Sequence, residues 1–432
     1  MKKGRRTWTI RWIGAAFVAA AGLLVLTPSP QAIPAFARKY NVKCFTCHTV
    51  FPRLNKTGYL FKRLGYRMPP DLEEGKPAPR IEDLDKNIPW SLTNSAALAV
   101  QTSFTVDRTA ADGEPSTSYS SFNLDNALLF FAGAVPESNF SYLGEFKLYE
   151  DGENGLETAV VQYTAGKVTN SYFAKAGKMH LQETEGFRGS DPLGLFNDGP
   201  LMFTASDPNN FTFDQAPVGV AVGYTWSSNY YKNIVGLTLK VTNGLNPDGS
   251  EITQGSTKNS KDVWFQVDYL FGPDAGVSFM AFQGKKYQIQ NMGTPDEFMY
   301  YPAIRRWALC ANYLFFDKLD VIGGYMRGRD DWQWNSTDLN TVNYDSRSYY
   351  GEVNYYFRTG LVAMARYDRM NESLDGDVGS TYTRVWSVGV QKTLTKRGNA
   401  RVRAQYTDQR TTDPLNAVGT DKLFQVDLRL GW

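Results

Sequence analysis

Five consecutive residues, Cys44-Phe45-Thr46-Cys47-His48, hold two of the three cysteines and one of the two histidines in this 432-residue chain. Two thiols one helical turn apart can add to the two vinyl groups of a porphyrin. The imidazole of the next residue then lies under the iron. C-x-x-C-H is the attachment pattern of a c-type haem. It makes Cys44 and Cys47 the candidate thioether residues of one covalent haem c, and His48 the candidate proximal iron ligand. Two simpler chemistries compete. A C-x-x-C pair can be a thioredoxin-like redox couple, which wants a βαβ context that is not visible nearby. It can also be half of a zinc site, but zinc needs four ligands, and the chain has no second cysteine pair and only His180 besides. Cys310, without a partner in the sequence, reads as a lone residue of a strand wall.

Haem of this type often takes Met or His opposite the first histidine. Met68 lies just past the helix expected after the motif. A straight helix of about 13 residues would carry it roughly 20 Å from His48, so the chain would have to fold back. His180 is expected at the end of the fifth strand, near the outer rim, where an ordinary polar role competes with ligation. Met179 and an open or water-bound site are further options.

The start of the chain bears on where such a group could be attached. Lys2, Lys3, Arg5, Arg6 and Arg11 precede and enter an apolar run from Trp12 to Leu26, followed by Pro28 and Pro30. Residues 1–32 thus read as a secretory signal, with cleavage after Ala32 or Ala37. An uncleaved anchor helix is the competing reading. Removing residues 1–32 takes five positive charges and no negative one, leaving 41 against 44. A nearly neutral chain is not a general nucleic-acid binder.

Beyond the signal, the longest purely apolar run is Ala127 to Val135, too short for a membrane helix of about 20 residues. From about residue 91 the sequence instead alternates. Phe424, Val426, Leu428, Leu430 and Trp432 are separated by Gln425, Asp427, Arg429 and Gly431. Period two puts one set on each face of a strand. Sixteen candidate strands start near residues 91, 121, 139, 155, 170, 217, 231, 261, 275, 304, 319, 346, 360, 383, 400 and 422. Tight turns, such as 136–139, 272–276 and 316–318, alternate with long segments, such as 182–216, 244–260 and 331–345. Outer-membrane barrels have this asymmetry, with short periplasmic turns and long outer loops, whereas a soluble sandwich does not require it. The aromatic Trp432 closing an alternating strand points the same way. The expected fold is mainly β: an approximately 16-stranded transmembrane barrel over 91–432, embedded in outer-membrane lipid.

Between signal and barrel, residues 33–68 surround the motif, and 69–90, rich in proline and charge, read as a linker. A segment under about 40 residues rarely buries a core by itself. A sixteen-stranded barrel leaves a channel that can be plugged. The small, partly helical segment is therefore expected in or against the lumen at its periplasmic mouth, with a helix from Pro52 to Leu64.

The stretch Pro34-Ala35-Phe36-Ala37-Arg38, the motif itself with Thr49, Phe51-Pro52-Arg53-Leu54-Asn55, Gly58, Phe61-Lys62 and Gly65-Tyr66 resembles the fused monohaem cytochrome–porins of the outer membrane. The best-known members belong to iron-oxidising bacteria and are described as ferrous-iron oxidases. The resemblance is motif-level over Pro34 to Tyr66 and architectural beyond. It implies haem on Cys44 and Cys47, His48 as ligand, and electrons passing from extracellular Fe(II) to a periplasmic c-type cytochrome. Related fused proteins in organisms that do not oxidise iron leave outward transfer open. A solute porin with the haem segment as plug or sensor is the alternative from another class. No catalytic triad, phosphate loop or metal-hydrolase motif is present. Asp330, Asp331, Asp338, Asp375 and Asp377 read as solvated loop carboxylates.

Overall fold

The computed structural model describes residues 35–50, 53–86, 91, 95–113, 115–150, 153–180, 196, 199–203, 213, 216–243, 261–272, 274–285, 288–290, 298–300, 303–332, 342–357, 360–374, 380–395, 400–413 and 417–431. The expected signal, Phe51, Pro52, Asp338, Asp375, Asp377 and Trp432 lie outside these residues.

Sixteen antiparallel strands close into one barrel. In chain order they are β1 (Ala96–Ala111), β2 (Thr117–Ala134), β3 (Phe140–Glu150), β4 (Glu153–Lys167), β5 (Asn170–Lys178), β6 (Val218–Ser227), β7 (Ile234–Thr242), β8 (Asp262–Phe271), β9 (Ala275–Lys285), β10 (Ala303–Phe315), β11 (Leu319–Trp332), β12 (Val342–Tyr356), β13 (Leu361–Leu374), β14 (Ser380–Thr393), β15 (Ala400–Thr412) and β16 (Val418–Gly431). The ring closes where β16 pairs with β1, Leu430 opposite Val100. Each strand starts within five residues of its expected position.

The polarity of this barrel is inverted relative to a soluble fold. On β8 the exposed residues are Val263, Phe265 and Tyr269, while Gln266 and Asp268 are buried. On β6, Val220, Val222, Tyr224 and Trp226 are exposed, and Thr225 and Ser227 are buried. Apolar side chains out and polar ones in is the pattern that lipid imposes and water opposes. Outward aromatics form two girdles. One lies at the tight-turn end, with Tyr269 stacked on Phe271 and Tyr313 tilted against Phe315, at 5.3 and 4.5 Å between ring centroids. The other includes Trp307 beside Tyr325 and Tyr367 beside Trp386, at 5.4 and 4.4 Å. Phe315 and Trp307 are separated by about 26 Å along β10, or roughly 20 Å along the membrane normal at the usual strand tilt. That is comparable with the apolar band of an outer-membrane barrel, about 25 Å tall.

The N-terminal segment lies inside the tight-turn mouth. It contains helix α1 (Ala35–Tyr40), a tight 3₁₀ turn (Cys44–Thr46), a two-stranded ribbon (His48–Val50 with Arg53–Leu54) and helix α2 (Lys56–Arg63). The start expected at Pro52 is corrected to Lys56. Arg53 and Leu54 are taken up by the ribbon, and Asn55 caps the helix through its side chain. Tyr59, Leu60 and Leu64 of this segment share a buried cluster with Ile81 and with Val168, Ile234 and Leu270 of the barrel. Each such burial contributes roughly 1.5–3 kcal/mol. Residues 69–86 run across the turns: Tyr231 donates to the Pro70 carbonyl at 2.9 Å, and Val168 N to the Pro79 carbonyl at 3.1 Å.

Candidate functional site

The Cys44–Thr46 turn is closed by Thr46 N donating to Lys43 O (3.0 Å) and Cys47 N to Cys44 O (3.1 Å). In a 3₁₀ turn, positions i and i+3 eclipse, so Cys44 and Cys47 face the same way, with His48 next. This is the donor set a c-type haem requires, two thiols on one side and an imidazole following. Both cysteines are free. Burial pushes the Cys44 thiol up, and burial together with Cys44 pushes the Cys47 thiol up to about 12. Both are therefore protonated at neutral pH. In the same segment the Phe36 ring meets Phe61 edge-on at 4.8 Å and stacks on Tyr66 at 5.2 Å.

The socket that holds this segment is made of buried polar contacts. Arg63, fully buried, donates to Thr225 Oγ1 (2.5 Å), Thr238 Oγ1 (3.0 Å), Tyr224 O (2.7 Å) and Leu237 O (2.9 Å). Gln162 donates back to Arg63 O at 3.2 Å. Arg67 donates to Ser138 O (2.5 Å) and Phe140 O (3.1 Å). Thr49 donates to Asp274 in the β8–β9 turn at 2.5 Å. Across the lumen, Arg53 forms a buried ion pair with Asp320 of β11 and lies 3.3 Å from the Tyr356 hydroxyl. The wall is cut to receive it: a Cβ on Gly236 would collide with the Tyr59 hydroxyl. Contacts with β3, β6, β7, β8 and β11 bridge the mouth.

The candidates for the position opposite His48 are separated. Gly65 and Tyr66 both take left-handed backbone, with φ of 69° and 58°. They reverse the chain after α2 and bring Met68 back toward α1, where the Tyr40 hydroxyl lies 2.6 Å from Tyr66 O and 2.5 Å from Asp85 Oδ2. Burial, then Asp85, pushes the Tyr40 phenol up. His180 is held elsewhere, its Nε2 3.2 Å from Glu157 and its carbonyl accepting from Lys240 Nζ at 3.0 Å. Ten residues along the strand from Asn170 at the tight turn amount to roughly 33 Å, so His180 and His48 sit at opposite ends. Met179 is fully buried against Val160 and Ala221. Cys310 is buried in the β10 wall. Asp330 faces inward and accepts from Arg306 at 2.5 Å, while Asp331 lies 3.5 Å from Arg305.

The segment after β5, expected as an outer loop, turns inward at its described residues. Met202, Phe203 and Phe213 pack on Trp264, Met280, Phe282 and Ile304 of the wall. Leu201 N donates to Asp368 at 3.2 Å, and Phe196 lies in one cluster with Val50, Val362 and Met364.

No family model and no curated protein matches the chain. Solved structures match the barrel architecture. The loop L8 deletion mutant of OmpT, an outer membrane protein of Vibrio cholerae, has 15% identity and a TM-score of 0.50 over 78% of this chain and 100% of that one. The anion-selective porin from Comamonas acidovorans has 11% identity and a TM-score of 0.51, covering 78% and 99%. OprB of Pseudomonas putida has 9% identity and a TM-score of 0.52, covering 78% and 94%. At such identities the likeness is one of fold. The chain is a sixteen-stranded outer-membrane barrel of porin architecture whose N-terminal segment is seated in one mouth.

Proposed function

We propose that this protein carries one covalent haem c on Cys44 and Cys47, ligated by His48, and passes electrons across the outer membrane, from extracellular Fe(II) to a periplasmic c-type cytochrome. On this reading it is an electron-transfer protein with ferrous-iron oxidase activity. When bound, the haem supplies reversible one-electron chemistry. The observation that carries the reading is the C-x-x-C-H turn within a segment bonded to the barrel wall on opposite sides of the tight-turn mouth. A redox centre there sits at the boundary between periplasm and lumen. The chain's own residues fix it: Arg53, Arg63 and Arg67 anchor the segment, and Phe196 packs in one cluster with Val50. The buried thiols support attachment before docking, because thiolate is the nucleophilic form and the docked pair is protonated. Of the two candidate second ligands, Met68 is favoured because His180 is engaged with Glu157 toward the far end of the barrel.

The porin architecture favours a second reading, a solute channel with the segment as plug, and outward electron transfer is the reverse of the first. Redox titration of the purified protein with Fe(II), paired with liposome swelling, separates them. Electron entry predicts haem reduction by Fe(II) and little sugar flux. A solute channel whose segment leaves a passage predicts flux like that of an open porin. A midpoint far below that of Fe(II) favours the outward direction.

A further inference from the structure

The geometry points to Asn55 as the positioning residue that clamps the Cys44–Cys47 turn onto α2 and thereby sets the orientation of His48. This rests on the haem reading and adds the residue that tunes the site. The Asn55 backbone N donates to Cys47 O at 2.9 Å. Its side-chain Nδ2 donates to Thr46 O at 3.1 Å and lies 3.4 Å from Phe45 O. Its Oδ1 accepts from Gly58 N at 3.0 Å. Three successive carbonyls of the motif, at positions 45, 46 and 47, therefore converge on one residue, which also starts the helix.

A primary amide suits this role because it combines two donors with an acceptor. Its orientation follows from its partners: Gly58 N can only donate, and the Phe45 and Thr46 carbonyls can only accept. Aspartate has no donor, and serine caps a helix well but has one short hydroxyl for both tasks. The close seat of α2 on the turn has a second mark. A Cβ on Gly58 would collide with the Cys47 carbonyl and with Leu54. His48 follows directly after this clamped carbonyl row and pairs with Leu54, next to Asn55, so the backbone from which its ring leaves is held by the clamp.

The test uses Asn55→Ser and Asn55→Ala in the full chain, with heat-modifiability on gels to verify the folded barrel. In haem-loaded protein, covalent haem stain stays at the wild-type level, because Cys44, Cys47 and His48 are unchanged. Both variants change the oxidised-to-reduced ratio at a fixed potential about tenfold, which is 59 mV for one electron. In haem-free Cys310→Ala protein kept reduced, iodoacetamide labels Cys47 about tenfold faster in Asn55→Ser than in its parent. Because serine preserves the helix cap, a shift in Asn55→Ser isolates the clamp from capping. Wild-type midpoint or wild-type labelling in Asn55→Ser overturns the proposal. A wild type without haem would refute the haem reading and leave the labelling rate to judge Asn55 by itself.

Discussion

Phe196, carried inward by the segment that follows β5, and Val50, two residues past His48, share one buried apolar cluster with Val362 and Met364 of β13. The Arg366 guanidinium lies 5.1 Å from the Phe196 ring centre. The N-terminal segment and the inward segment thus meet inside the barrel. Phe196→Ala removes the ring that joins them. Truncating a buried phenylalanine costs about 3 kcal/mol, on the order of a hundredfold in the undocked fraction. Limited proteolysis of the N-terminal segment in detergent-purified protein should accelerate by up to that factor, and single-channel conductance in planar bilayers should rise.

Arg63 makes the densest set of bonds between segment and wall. Arg63→Met keeps much of the apolar stem but strands two threonines and two carbonyls without their donor. Hydrogen bonds from a charged group contribute about 1.5–3 kcal/mol each, so the segment should leave its socket while the barrel stays heat-modifiable. Hydrogen exchange over residues 53–68 would show protection lost there and kept in the strands. Unchanged protection would contradict the socket described above.

At the proposed haem site, replacing Cys44 and Cys47 with alanine should abolish haem stain on denaturing gels. His48→Ala should retain stain but lose the low-spin spectrum. His180→Ala should leave spectrum and midpoint at wild type, because that side chain is engaged with Glu157 at the far end of the lumen. Met68→Ala should convert the spectrum to high spin. Optical spectroscopy of the four variants decides between Met68 and His180.

The pH dependence of the haem-free chain has a definite sign. Both thiols are raised above their ordinary value of 9.0 by burial, that of Cys47 to about 12 with help from Cys44. The docked segment therefore keeps protons that an undocked one releases above pH 9. The stabilisation is intact below about 9 and is lost as pH rises toward about 12. Protease release of the segment should climb from pH 8 to 10 in the haem-free parent, and less steeply in the Cys44→Ala, Cys47→Ala double variant. Equal slopes would remove the thiols from the account.

How much of this was legible in the sequence depends on what each pattern encodes. The strands were, because lipid outside and a polar lumen inside force period two on residues such as Phe424, Val426 and Leu428 across the whole wall. The tight turns were, because short connections leave little room between alternating runs. The start of α2 lies later than the Pro52 expected from the sequence: Pro52 suits a first helical turn, but Asn55 supplies the cap, and the pairing of Arg53–Leu54 with His48–Val50 is tertiary. The inward course of the segment after β5 was missed because a fold into a lumen has no period. Its one signal was the density of Phe196, Leu201, Met202, Phe203 and Phe213 in a stretch otherwise expected to be solvated. The sockets for Arg53 and Arg63 were not legible, since Asp320, Thr225 and Thr238 are distant in sequence and ordinary on any lumen wall.

The most direct test of the central claim is an optical spectrum of intact cells, grown with c-haem maturation and expressing this chain, before and after Fe(II) is added outside. The account predicts c-type bands absent from the Cys44→Ala, Cys47→Ala strain, passing from oxidised to reduced on addition. Cells without those bands, or bands that stay oxidised while Fe(II) persists in the medium, would contradict it.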